Sequence, residues 1–117
     1  MQHVQLHLAA LRIGDRDLPV RHGTLMVVQR AECSWPDWEI VVHTLDEEPI
    51  AAGAHQATFT AVTGADPDGL RLTEMHGSVF LVRRVAHAIV LRGDSALAGF
   101  DPDLLEPPDR FGPAAEG

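Results

Sequence analysis

The sequence predicts an all-β domain, a small antiparallel barrel or two-sheet sandwich of about seven or eight strands closed or capped to hide its edges. Three observations predict it. Apolar residues alternate or run briefly instead of recurring at helical spacing. β-branched residues are enriched in those runs, and Gly, Pro or Asp clusters interrupt them at short intervals. At 117 residues the chain is the size of one domain, long enough to bury roughly two thirds of its unfolded surface without a disulfide or metal staple.

The first strand is "HVQLHLAALRI", with Val4, Leu6 and Leu8 on one side and His3, Gln5 and His7 on the other. Its parity is free to slip at Ala9-Ala10. "GDRD" at 14–17 turns the chain into the short segment "LPVRH", Gly23 breaks that segment, and "TLMVVQR" follows at 24–30. In the loop "CSWPDWE", Pro36-Asp37 is turn chemistry between two tryptophans. Trp38 opens the buried strand "WEIVVHTL", where its same-face partners are Ile40 and Val42, so it is expected in the core. Trp35 lies beyond the proline and is expected to be partly exposed, where a flat ring with an N–H donor suits a partner.

"DEEPIAAG" sets Pro49 beside three acids and reads as an exposed connection, because proline removes a ladder donor. "HQATFTAVT" at 55–63 alternates, with His55, Ala57, Phe59 and Ala61 on one face. "GADPDG" at 64–69 is turn chemistry joining it to "LRLTEMH" as a hairpin. It lacks the first Asp and closing Glu of a calcium loop. The last pair, "GSVFLVRR" and "HAIVLRG", is apolar on both faces, whereas an antiparallel strand with one wet face alternates. Residues 1–100 are thus read as the β domain. Residues 101–117 hold four of the eight prolines and read as a flexible tail, with Leu104 and Leu105 able to dock as a single turn.

Nine Arg against seventeen Asp plus Glu give a formal charge of −8, which repels a phosphate backbone, so nucleic acid is not an expected partner. The chain has no Lys, Asn or Tyr while Ala, Gly, Arg, Asp and Pro abound; we read this as high-GC coding. No apolar run approaches the roughly 20 residues of a membrane helix. The opening residues lack a basic leader with an apolar core, which makes the cytoplasm the expected compartment. Cys33 has no CxxC partner and no adjacent His, so a small buried or half-buried thiol is expected.

Seven histidines raise the question of a metal or acid/base site. His3 and His7 on one extended strand stand about 13 Å apart, too far to share an ion. His43, His55, His76 and His87 lie on four candidate strands and could converge, with Glu74 beside His76. His43, His55, His87 and Glu74 are accordingly the candidate catalytic groups of a small barrel enzyme or carrier enclosing an apolar molecule. No metal or cofactor is expected. Met1-Gln2-His3 can chelate Cu(II) or Ni(II), as any free N-terminus followed by His3 can.

The reading placed first is a non-catalytic binding or assembly protein, associating with itself or with a protein partner. The doubly apolar final strands carry it, since a second apolar face needs a cover. On a parity that sends Phe80, Val82, Ile89 and Leu91 inward, the outer patch is Val79, Leu81 and Val90, flanked by Arg83 and Arg92, with Trp35 as a further contact. The turn near Arg84-Val85 lacks Gly or Asn, so loop length is open and the two sets can exchange.

Overall fold

The computed structural model describes residues 1–105. It is all-β, with seven strands: β1 (Gln2–Ile13), β2 (Arg16–Leu18), β3 (His22–Gln29), β4 (Asp37–His43), β5 (Ala54–Asp66), β6 (Gly69–Val85) and β7 (Ala88–Gly93). The sheet order is β2-β1-β3-β4-β7-β6-β5, and β1 also pairs with β5, so the sheet closes into a ring. Every pairing is antiparallel. No helix of the described residues is long and apolar enough to cross a membrane.

The ring is built from two meanders. In the first, β1 turns at Gly14, whose φ of 60 suits a residue without a side chain, and returns as β2 and then β3 along the same edge of β1. Pro19 falls between them, where its missing N–H interrupts the ladder. β1 slips register between Leu8 and Ala10. Its first half therefore serves β3 and its second half serves β5. In the second meander β5, β6 and β7 pair in order. The seams β4–β7 and β1–β5 join the meanders.

Alternation fills the interior. Leu25, Val27, Ile40, Val42, Ala57, Ala61, Met75, Val79, Ile89 and Leu91 are fully buried, and Phe59 and Trp38 nearly so. The crossover from β4 to β5 spans one end of the ring, with Ile50 turned into the core. Two arginines hold it there. Arg16 pairs with Asp46 at 3.0 Å and donates to the carbonyls of Glu48 and Pro49. Arg84 donates to the carbonyls of Asp46 and Glu48.

After β7 the chain folds back along β6, where His76 and Ala98 exchange backbone hydrogen bonds of 3.0 and 2.9 Å. Leu97 and Leu105 enter the core, and Phe100 and Leu104 pack against it. A 3-10 turn, Pro102–Leu104, is capped by Asp101. The segment 101–105, grouped with the tail on its proline content, is thus docked through the single turn. The rest of that tail, including Phe111, lies outside the described residues.

Candidate interaction face

Residues paired across an antiparallel ladder share a face. The inward row Leu6, Leu25, Ile40, Leu91, Leu81 fixes the outward ones beside it. One outward row runs Gln5, Met26, Glu39, Arg92, Phe80 across β1, β3, β4, β7 and β6. The next runs His7, Thr24, Val41, Val90, Arg83. Met26, Val28, Val41 and Val90 are half-buried on this face, while Phe80, Val82 and Val85 are exposed. The outside of four adjacent strands is therefore apolar at its centre and carries Glu39, Arg83 and Arg92 within it.

The final strands do have two apolar faces, but β6 takes the exchanged parity. Val79 is fully buried, and Leu81 is half-buried and packs on the core, whereas Phe80 and Val82 point out. On β7 Ile89 and Leu91 are buried and Val90 faces outward. The cause is the β5–β6 hairpin. Its register pairs inward Ala57, Phe59 and Ala61 with Gly77, Met75 and Thr73, which carries odd-numbered β6 residues inward through Val79. A register shift between Leu81 and Arg83 then absorbs Val82 as an extra outward residue.

At one end of the face lies the tryptophan loop. Trp35 is 53% exposed and Trp38 is 2% exposed. Cys33 is exposed as well, not buried or half-buried, because the loop at 30–36 runs outside the ring. Arg30 and Asp37 form an ion pair there. They line a shallow groove of about 170 Å3 with Met26, Val28, Trp38, Glu39 and Arg92.

At the other end lie histidines. His22 and His43 face each other directly across β3 and β4, with ring centroids 5.8 Å apart, and His7 on β1 stands 6.2 Å from His22. His22, His43 and His87 line a cleft of about 410 Å3 with Arg21 and Thr44. Two of the four catalytic candidates, His43 and His87, are therefore brought together, outside the ring. His55 is hydrogen-bonded to the Ala51 carbonyl. Glu74 is exposed on β6 and His76 reaches Gln56. Neither His55 nor Glu74 lines this cleft. His22 is passed over in the sequence because it ends the short segment "LPVRH" that Gly23 breaks, whereas in the structure it opens β3, continuous with "TLMVVQ". Among the described residues no group of three or more His, Cys, Asp or Glu is arranged to hold a metal ion.

Asp46, whose backbone N–H donates to Thr44 Oγ1 of this cleft at 3.1 Å, has a displaced affinity for protons. Its value falls below the ordinary 3.8, chiefly because the Glu48 N–H donates to it, with Arg16 and Arg84 adding to the effect and desolvation opposing it. Comparison with protein-family models, with curated proteins and with solved structures finds no match to this chain.

Proposed function

We propose that this protein is a non-catalytic assembly module whose outer face on β3, β4, β7 and β6 packs against the same face of a second copy. The observation that supports the reading is the cluster Met26, Val41, Val90, Phe80 and Val82, an apolar centre on a side of the sheet that solvent would otherwise wet. The charges around it are of both signs: Glu39 lies in register with Arg92, and Arg83 with Val90. A two-fold interface is self-complementary, so each acid of one copy needs a base on the same patch of the other. This face carries both, although the whole chain is strongly acidic. A barrel enclosing an apolar ligand is the weaker reading, because Phe59, Met75, Leu25 and their neighbours occupy the interior.

Light scattering tests the proposal. The wild type is expected to exceed the monomer mass at tens of micromolar, and Val82→Asp to fall to the monomer mass with its thermal midpoint kept. A wild type that is monomeric at that concentration overturns it.

A further inference from the structure

The histidine cleft has a composition the assembly reading does not use. Its lining is one arginine, three histidines and one threonine, with no carboxylate, on a chain of formal charge −8. We infer that this cleft binds the phosphate group of a small phosphorylated molecule.

Its parts are fixed in place by the backbone. The Arg21 N–H donates to the His43 carbonyl at 2.9 Å, and the Thr44 N–H donates to the His87 carbonyl at 2.9 Å. Those two bonds tie the entry to β3, the end of β4 and the β6–β7 turn at one level. Three imidazoles from three segments therefore face one space. His87 is delivered by a turn in which Ala86 has a φ of 53, a left-handed conformation uncommon for a residue with a Cβ.

Two of the three acids that follow Thr44 are paired elsewhere: Asp46 lies 3.0 Å and Glu48 3.6 Å from Arg16, which does not line the cleft. Arg21 makes no ion pair among the described residues. The Thr44 hydroxyl is buried and accepts from the Asp46 N–H at 3.1 Å, which leaves a guanidinium fork and imidazole N–H groups as the donors a tetrahedral oxyanion would accept from. The volume of about 410 Å3 falls in the range of roughly 300–1,000 Å3 typical of small-molecule sites, so there is room for the molecule that carries the phosphate. A metal is the competing occupant of any histidine cluster, and among the described residues no three-ligand group supports it.

The test is a titration of isotope-labelled protein with inorganic phosphate at constant ionic strength, read by amide chemical shifts. Saturable shifts are expected at Arg21, His22, Thr44 and His87. Arg21→Gln should weaken binding about tenfold, the loss of one charge-assisted hydrogen bond, and His22→Gln and His43→Gln should each weaken it several-fold. His3→Gln, at the far end of β1, should leave it unchanged, and a retained thermal midpoint in each variant excludes misfolding. The same titration on Val82→Asp should give the same shifts, which separates this site from the self-association reading. Shifts that fail to saturate, that spread equally to Arg83 and Arg92, or that vanish in Val82→Asp overturn the inference. So does zinc chloride, added to the His3→Gln variant, binding one to one more tightly than phosphate.

Discussion

The indole of Trp38 lies flat against Gly93: a Cβ built on Gly93 would fall on the shared edge of the two rings, well inside van der Waals contact. Gly77 supports the same ring, with its own Cβ position 2.6 Å from Cζ2. The indole N–H donates to the Ser95 carbonyl at 2.8 Å, and Phe59 packs on the ring at a centroid distance of 5.8 Å. Two glycines on neighbouring strands thus make the seat for one tryptophan. Gly93→Ala is expected to cost about 1–3 kcal/mol by overpacking. In a Trp38→Ala background the same change should cost clearly less, since contacting residues do not add. Additive costs in denaturant unfolding would show that the ring does not rest there.

The two tryptophans should separate in stability. Trp38→Ala is expected to cost about 3–5 kcal/mol and Trp35→Ala under about 1 kcal/mol, the values for a filled core site and an exposed one. Acrylamide should quench Trp35 and spare Trp38, as fluorescence of the two single-tryptophan variants will report.

Leu81 and Val82 are neighbours in sequence and opposites in consequence. Leu81→Asp puts a charge against the core and should lower the thermal midpoint sharply. Val82→Asp should leave it within a few degrees. Similar midpoints for the two variants would contradict the register of β6.

Leu105 should be part of the folding unit. Leu105→Ala is expected to cost about 2–3 kcal/mol, at the lower end of the range for core leucines because the site lies at the edge. A chain ending before Asp101 should lose more, since it also gives up Leu104. Unchanged unfolding would remove this segment from the core.

Asp46 gives the fold a pH dependence of known sign. Its folded-state affinity for protons is lowered, so the stability it contributes is fully present above the ordinary value of 3.8 and is lost as pH falls through the lowered folded value. The gap in thermal midpoint between wild type and Asp46→Asn should be widest near neutrality and close progressively below about pH 4. A gap that stays constant into acid would assign the effect to packing.

Much of this architecture is legible because alternation is a local property. The run at 55–63 shows its inward face in the residue types themselves, and Trp38 with Ile40 and Val42 does the same for β4. The strand at 79–82 does not: four apolar residues in a row carry no parity. The missing information was one hairpin away, since Ala57, Phe59 and Ala61 determine what faces inward opposite them on β6. Gly77 concealed this by reading as a break between two strands, although it sits within one strand of 17 residues to make room for Trp38. The histidine cleft was half legible. His43 and His87 are on recognisable strands or turns, but their meeting with His22 depends on which strands become neighbours across the ring, and that order is tertiary.

The closure of the ring also bears on how two chains can become entangled. Each seam joins one half of the sequence to the other: β4 to β7, and β1 to β5. If the crossover opened, β5 to β7 of one copy could complete the ring of another and keep every seam hydrogen bond, the exchange known as domain swapping. What such an exchange forfeits is the folded crossover, in which Arg16 from the first half and Arg84 from the second grip the same stretch between Asp46 and Pro49. These two arginines therefore fasten the crossover to both halves of the sequence, and the closed single chain holds contacts there that an interlocked pair would give up.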